Sequence, residues 1–309
     1  MALSLELLIK MAIPEDQLQS WSGRGAITSS ASAYASIKIA LETQGSKIYD
    51  SGAEIYLQGS YRNATNIRGD SDVDIVVELQ STFASDVSAL DSSQRTTQAA
   101  AFESATYQWA NFRADVLRTL QDYYGEARVQ SSTKCIKVVT GPGRITADVV
   151  VAIQHRKYDY FYSMLLQSSS KGIQFFDSLR NPVINFPKQH IANGEEKNAD
   201  GRTNGLFKPT VRVFKNARNR LITYELIRDS VCPSYCAECL VYNAPDSCFG
   251  GTCQETFANV FEYLWTLPFN KFISQNGLIP LFGSAPFQWN SDDASRFLDA
   301  LRRLWLNWT

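Results

Sequence analysis

Asp72 and Asp74 lie inside an apolar, β-branched run, DVDIVVEL, where carboxylates are costly. Successive side chains of a strand point to opposite faces, so both carboxylates share one face while Val73 and Ile75 take the other. Buried carboxylates persist where they are protonated, paired with cations or bound to a metal. The pattern therefore predicts a strand with one face in a core and the other available for chemistry.

A third carboxylate, Asp148, occupies an equivalent position in the segment KCIKVVTGPGRITADVVVAI. Two β-rich runs around Gly-Pro-Gly predict a hairpin, whose second arm leaves Asp148 on the face opposite Ala147 and Val149. Three carboxylates on neighbouring strands repel one another unless cations match them. Two divalent ions about 3.5–4 Å apart would match them and allow in-line attack on a phosphoryl group. Mg²⁺ suits such a site, and Mn²⁺ could replace it.

An isolated D-x-D pattern is short and common, so a structural alternative stays open for the aspartates. One aspartate would then pair with an arginine and another would cap a turn. The Gly-Ser pair that precedes them favours chemistry, because Gly59 lets the backbone approach a ligand and Ser60 offers a hydroxyl and an N–H. Asn63 and Thr65 add polar groups to the same loop.

A Gly-Ser turn after a strand, followed by D-x-D, resembles the nucleotidyltransferase superfamily related to DNA polymerase beta. In that superfamily the Gly-Ser turn holds the phosphates of the nucleotide and three acids hold metal. The resemblance implies that Gly59 and Ser60 bind nucleotide. It also implies catalytic and metal-binding roles for Asp72, Asp74 and Asp148.

Longer stretches resemble one branch of this superfamily, the CD-NTases, which are bacterial relatives of cyclic GMP-AMP synthase and DncV. They lie in family order at residues 21–41, 59–75, 146–158, 172–198, 207–221 and 233–245. The resemblance implies Mg²⁺-dependent synthesis of a cyclic di- or oligonucleotide from NTPs, in anti-phage signalling of the CBASS type. It further implies a separate effector that the product activates. The alternatives are a linear oligonucleotide synthase, a tRNA-tailing enzyme and an inactive nucleotide sensor, because the same acids serve the first two.

Four cations in KPTVRVFKNARNR recur at spacings of four and three, which places them along one face of a helix that Pro209 can open. They are Lys208, Arg212, Lys215 and Arg218. Such a row can supply countercharge to a triphosphate, and a solvated basic face is the alternative. By resemblance, Lys215 contacts the donor triphosphate.

The dipeptide Ser234-Tyr235 matches a family pair in which serine touches phosphate and tyrosine stacks on the donor base. The resemblance gives Ser234 and Tyr235 those roles. The alternative is a helix N-cap serine followed by a core aromatic residue, and the two interpretations are compatible.

Five cysteines fall close together near the start of the C-terminal third, dense enough to raise a zinc site as a hypothesis. They are Cys232, Cys236, Cys239, Cys248 and Cys253. No clean pair of C-x-x-C motifs appears among them, so buried thiols are the favoured interpretation.

The composition is that of a soluble globular protein: 309 residues, 44% hydrophobic and 20% charged, with net charge −1. The weak net charge argues against a large RNA substrate, and the sequence shows no basic DNA-binding surface like that of the animal homologue, so no nucleic-acid activator is expected. The first thirteen residues favour an amphipathic helix over a signal peptide, and no run is long enough to span a membrane. Six cysteines without a secretion signal indicate reduced thiols in the cytoplasm.

The order of elements predicts an α+β fold, with a polymerase beta-like core of mixed sheet and helices followed by a helical subdomain. We expect a core with N-terminal helices at residues 1–192 and a helical subdomain at 193–309 that closes over the nucleotide site. Residues 94–124 show helical periodicity, and the polar stretch Asn193–Asn204 predicts a loop at the boundary. Asp292 or Asp293 can cap the last helix.

Overall fold

The computed structural model describes residues 13–25, 28–69, 72–140, 146–285 and 287–308. The helix expected over the first thirteen residues lies outside these ranges except for Ile13, and so does the Gly-Pro-Gly turn. None of the helices in the described ranges has both the length and the apolar character needed to cross a bilayer.

The described ranges alternate helices and strands in the first two thirds of the chain and are helical thereafter. The helices are α1 Glu15–Ser22, α2 Thr28–Leu41, α3 Lys47–Asp50, α4 Gly59–Asn63, α5 Ser92–Ala100, α6 Trp109–Tyr124, α7 Pro187–Asn198, α8 Phe207–Thr223, α9 Ser234–Asn243, α10 Cys253–Thr266 and α11 Ser291–Leu306. The strands are β1 Glu54–Leu57, β2 Asp72–Asp86, β3 Val129–Ser131, β4 Ile136–Val139, β5 Thr146–Phe161, β6 Gln167–Phe176 and β7 Pro182–Asn185. This is the predicted α+β arrangement, with mixed sheet first and helices after it.

The strands form one mixed sheet in the order β1-β2-β5-β4-β3, and β6 joins the far half of β5 and pairs with β7. All neighbouring strands are antiparallel except β2 and β5, which run parallel. The predicted pairing of the two β-rich runs is confirmed, since β4 and β5 are antiparallel. The sheet therefore places β2 and β5, the two strands that carry the aspartates, side by side.

The chain divides into two compact units. The first, which we call the sheet unit, comprises Ile27–Tyr61 and Ser71–Lys188. Its core forms where α2 and α6 cover one face of the sheet, because alternation puts the β-branched residues of β2 and β5 there. The residues that fill this core include Ile37, Val73, Ile75, Val77, Phe112, Val116, Ala147, Val149 and Val151.

The second, the helical unit, comprises Met1–Ala26, Arg62–Asp70 and Gln189–Thr309. Its described core joins α1, α8, α9, α10 and α11, with Leu18, Phe214, Cys236, Phe257 and Leu301 all buried. The expected grouping of residues 1–192 is therefore wrong for α1. Leu18 is fully buried in the core that α8 and α10 build, because the apolar side of this short helix packs there.

Two further expectations about the elements are wrong. The helical pattern over residues 94–124 breaks after Ala100, because the Thr82 hydroxyl holds the Tyr107 carbonyl at 2.8 Å and Phe102 packs edge-on against Phe83. The first half of the polar stretch Asn193–Asn204 belongs to helix α7, and the loop begins only after Asn198. Its Lys197 is buried and donates to the Ala244 carbonyl at 2.6 Å, a tertiary contact that composition does not reveal.

Two helix starts also differ from expectation. Asn290, not Asp292 or Asp293, caps α11, because its side chain accepts from the Asp292 N–H. Helix α8 begins at Phe207, so Pro209 lies within its first turn instead of opening it.

Candidate active site

The register of the two parallel strands brings the acids together. Asp74 pairs directly with Asp148, and Asp72 pairs with Thr146. Paired residues of parallel strands present their side chains on the same face, so the three carboxylates share one face of the sheet. Helices α2 and α6 cover the other face. The Asp72 and Asp148 side chains keep 44% and 21% of their surface exposed, so both reach solvent.

Lys137 is the charged neighbour of this cluster. It pairs with Asp148 across β4 and β5, and its Nζ lies 3.2 Å from Asp148 Oδ1 and 4.0 Å from Asp72 Oδ2. The hydrogen bond to Asp148 and the charges of both acids raise the pKa of Lys137, against the effect of partial burial. The ammonium therefore stays charged and compensates part of the carboxylate repulsion.

Lys137 is not among the residues predicted for the site, although the sequence around it indicates which face of the sheet it joins. Ile136 and Val138 are buried, so alternation along β4 puts Lys137 on the face opposite the core. The hairpin pairing then fixes which face of β5 it joins. The structural alternative for the aspartates predicts that one of them pairs with an arginine. The cation found beside them is a lysine.

Cys135 adds a neutral group beside the same acids. Burial, followed by the negative charge of Asp148, raises the pKa of its thiol to about 12. The thiol is therefore protonated at neutral pH and adds no further negative charge to the cluster.

Gly59 packs directly against Asp74. Its φ is +68°, in the left-handed region that favours glycine, and a Cβ at this position would overlap Asp74 Oδ2. The preceding residue, Gln58, donates its N–H to the Asp74 carbonyl at 3.0 Å. The end of β1 is thus fixed beside the acid, and Ser60 follows as the second residue of α4.

The donor set at these strands suits a hard divalent cation, because Asp72, Asp74 and Asp148 all present carboxylate oxygens on one face. Within the described ranges, no group of three or more His, Cys, Asp or Glu side chains is already set at metal-binding spacing. Lys137 supplies the compensating charge in this arrangement. The acids thus offer the oxygen ligands that Mg²⁺ prefers, and its binding at this site stays a prediction.

The four cations of α8 belong to the helical unit and are largely engaged within it. Lys208, Lys215 and Arg218 are buried, so the solvated basic face is wrong as an alternative. Arg218 is held by the Cys232 carbonyl and by Asp229, while Lys208 Nζ lies 2.6 Å from Glu195. The row therefore does not act as one uniform phosphate-facing surface.

Arg212 and Lys215 tie α8 to the chain that follows the Gly-Ser pair. Arg212 donates to the Ala64 carbonyl at 2.6 Å, and Lys215 Nζ donates to the Thr65 carbonyl at 3.0 Å. Burial, together with the charge of Arg24, lowers the pKa of Arg212 to about 10. Both side chains thus hold backbone carbonyls inside the helical unit, and the expected triphosphate contact of Lys215 stays a prediction.

Ser234 and Tyr235 open α9, and both parts of the structural alternative fail for them. Pro233 is the N-cap residue, and Ser234 is the first residue of the helix. Tyr235 is 38% exposed and so is not a core aromatic. One face of its ring stacks on His190, with centroids 5.1 Å apart.

Asn63 and Thr65, expected to contribute polar groups to the Gly-Ser loop, are buried in the helical unit. Each donates to the Glu238 carboxylate at 3.0 Å. Sequence reasoning did not identify Glu238, because a single acid in a helical run such as SYCAECLVY carries no distinctive pattern.

The cysteines are free thiols. Cys232, Cys236 and Cys239 are buried, and Cys248 and Cys253 are partly buried. The burial of three of these thiols agrees with the favoured interpretation, and zinc binding stays untested.

Two family models match this chain. The model of the cGAS/DncV-like nucleotidyltransferase C-terminal helical domain matches residues 192–306, and the model of the nucleotidyltransferase domain matches residues 38–129. The two matches follow one another along the chain in the expected order, core first and helical domain second.

Curated relatives and solved structures match over nearly the whole chain. The chain is 43% identical to a cyclic UMP-AMP synthase of Rhodothermus marinus, over 96% of this chain and 99% of that protein. It is 39% identical to the cyclic nucleotide synthase CdnE01 of Staphylococcus haemolyticus, over 96% of this chain and 100% of that one. The Rhodothermus marinus CdnE c-UMP-AMP synthase with Apcpp and Upnpp superposes with a TM-score of 0.83, covering 96% of this chain and 97% of the other.

Substituting Gly59 with alanine is expected to abolish activity without unfolding the protein. The new Cβ strains the backbone by about 1 kcal/mol and forces the Asp74 carboxylate to rotate away. A displacement of about 1 Å in a reacting group costs roughly 100-fold in rate, so turnover should fall at least that far.

Gly52 is the matched control for this substitution, since its φ is +65° and nothing lies within 4 Å of an added Cβ. Gly52→Ala should lower the melting temperature about as much as Gly59→Ala and leave turnover intact. Equal turnover in the two variants would contradict the packing of Gly59 on Asp74.

Asp72→Asn is expected to eliminate turnover while the metal-free protein stays at least as stable as wild type. Removing one carboxylate lowers the repulsion among the three acids that share this face of the sheet. Melting in EDTA measures this. A clear fall in melting temperature would mean that Asp72 satisfies structural partners instead.

Lys137→Gln should destabilise the metal-free protein, unlike Asp72→Asn. The loss of the ammonium leaves Asp72 and Asp148 without this countercharge, and the metal-free protein should lose up to about 1 kcal/mol. Added Mg²⁺ should raise the melting temperature of this variant more than that of wild type. A variant that melts like wild type in EDTA would show that Lys137 does not compensate the acids.

Proposed function

Because this chain belongs to the cGAS/DncV-like nucleotidyltransferases and is itself a nucleotidyltransferase, we propose that it makes a cyclic di- or oligonucleotide second messenger from NTPs. In each transfer a ribose hydroxyl forms a new bond to the α-phosphorus of an NTP, and the bond to pyrophosphate breaks. A second transfer closes the ring. The observation that carries this proposal is the register of β2 and β5, which sets Asp74 directly beside Asp148 on the open face of the sheet.

The three carboxylates share one proposed role, metal binding, and Asp148 has a second. Asp72, Asp74 and Asp148 would hold two Mg²⁺ ions, which when bound supply charge neutralisation for the phosphates and activate the attacking oxygen. Asp148 assists deprotonation of the attacking hydroxyl. Gly59 leaves the space that the Asp74 carboxylate occupies, since a Cβ there would overlap Asp74 Oδ2, and Ser60 binds phosphate through its hydroxyl and N–H.

Three residues of the helical unit are also proposed to contact nucleotide. Lys215 contacts the donor triphosphate, Ser234 touches phosphate and Tyr235 stacks on the donor base. The partial exposure of Tyr235, which is 38%, supports its role, because a stacking residue must be reachable by the base.

The product is proposed to act in the cytoplasm on a separate effector protein, as part of CBASS-type defence against phage. The relatives named as cyclic nucleotide synthases support a cyclic product, and the name of the Rhodothermus marinus relative makes ATP and UTP the first substrates to test. We further propose that no nucleic-acid activator is required, on the ground of a net charge of −1.

The proposal is tested by incubating the purified protein with Mg²⁺ and each α-labelled NTP, singly and in pairs. We expect labelled product that resists phosphatase and stoichiometric release of pyrophosphate, with both lost in EDTA and restored by Mg²⁺ or Mn²⁺. Mass spectrometry and linkage-specific nucleases would identify the bases, the ring size and the linkage. Asp72→Asn is the matched negative control.

Two outcomes would overturn parts of the proposal. Products that are linear and phosphatase-sensitive would indicate a linear oligonucleotide synthase or a tailing enzyme. Nucleotide binding without release of pyrophosphate, with and without added nucleic acid, would indicate a sensor rather than an active synthase.

A further inference from the structure

The ring of Tyr235 rests on a buried histidine. The Tyr235 and His190 rings are stacked with centroids 5.1 Å apart and an interplanar angle of 25°. His190 is 4% exposed, whereas Tyr235 is 38% exposed. The histidine thus covers one face of the tyrosine ring from inside the helical unit, and the ring remains accessible from elsewhere.

His190 is in turn fixed by Glu238. Its Nε2 lies 2.9 Å from Glu238 Oε1, in a hydrogen bond that the carboxylate accepts. Gln275 reinforces the arrangement, because its Nε2 donates both to the His190 carbonyl at 2.9 Å and to Glu238 Oε1 at 3.3 Å. The imidazole is therefore held through its ring and through its backbone.

The same carboxylate fixes the segment that follows the Gly-Ser pair. Asn63 and Thr65 both donate to Glu238, and Lys215 donates to the Thr65 carbonyl. Burial alone would raise the pKa of Glu238, but the charge and hydrogen bond of His190, with Lys215 and Thr65, hold it below its ordinary value. Glu238 is therefore an ionised acceptor for donors on several segments of the helical unit.

We propose that His190 and Glu238 form a positioning pair that sets the ring of Tyr235 for stacking against the base of the bound nucleotide. This inference rests on the proposed function, since it presupposes that Tyr235 meets the base. Neither member of the pair touches the reacting atoms. Glu238 fixes the imidazole, and the imidazole supports one face of the tyrosine ring.

A purely structural role for the pair would have a different signature. Loss of packing or of a buried hydrogen bond weakens the helical unit as a whole, and every part of the nucleotide would then bind less well. Loss of ring positioning affects contacts with the base alone. Two substitutions of His190 separate these cases, because one keeps the hydrogen-bond donor and the other keeps the ring.

The experiment compares His190→Gln with His190→Phe, and every measurement is made with Mg²⁺ in the buffer. Glutamine can still donate to Glu238 but offers no ring, so this variant should melt near wild type and bind α,β-methylene ATP about 3- to 10-fold more weakly. Phenylalanine keeps a ring but loses the hydrogen bond to Glu238, so its melting temperature should fall and its affinity for the analogue should lie between those of His190→Gln and wild type.

Inorganic tripolyphosphate serves as the probe without a base. The affinity of His190→Gln for tripolyphosphate should equal that of wild type. Tyr235→Ala should bind the ATP analogue more weakly than wild type, by about the same factor as His190→Gln. The double variant, His190→Gln with Tyr235→Ala, should bind the ATP analogue no more weakly than Tyr235→Ala alone, because both substitutions remove the same stacking contact.

The inference is overturned if His190→Gln binds the ATP analogue like wild type, or if tripolyphosphate affinity falls in parallel. Failure of the proposed function would look different, since wild-type protein would then release no pyrophosphate from any NTP. The binding comparison stands apart from turnover, so the two failures are distinguishable.

Discussion

Parallel pairing of β2 with β5 is the constraint on which the candidate site depends. Antiparallel or shifted pairing would separate the carboxylates, and a slip of one residue would turn one of them into the core. The register is fixed by burial on the opposite face, where Val73, Ile75 and Val149 pack beneath α2 and α6. The hydrophobic core therefore specifies the position of the acids more strongly than any contact among the acids themselves.

Strand alternation explains why so much of this site could be predicted from sequence. A period of two places Asp74 and Asp148 opposite buried β-branched neighbours, whatever the details of the sheet. The Gly-Ser pair was informative for a related reason, because the steric demand at Gly59 leaves glycine as the residue that fits. Patterns set by local geometry are visible in the sequence.

The missed features depend on partners distant in the chain. Lys197 and Lys215 look like surface residues in the sequence, yet both are buried because they donate to backbone carbonyls of other segments. Glu238 gains its donors from residues 48 and 175 positions away, His190 and Asn63. Such long-range pairing leaves no periodic signal, so the composition of residues 193–204 indicates a loop where the end of α7 lies, and spacing alone does not show which cations of α8 are buried.

The two groups of acids in this protein illustrate different uses of a carboxylate. Asp72 and Asp148 are compensated by Lys137, whose own side chain is 41% exposed, so that countercharge can be exchanged for another cation at small cost. Glu238 is 4% exposed and accepts from several fixed donors, and removing any one of them would leave a buried charge less well satisfied. The acids on the sheet and Glu238 thus differ in exposure, and Glu238 is the one whose hydrogen-bond donors are all fixed inside the helical unit. The same sequence uses loosely compensated acids where chemistry is expected and a fully bonded one where position alone matters.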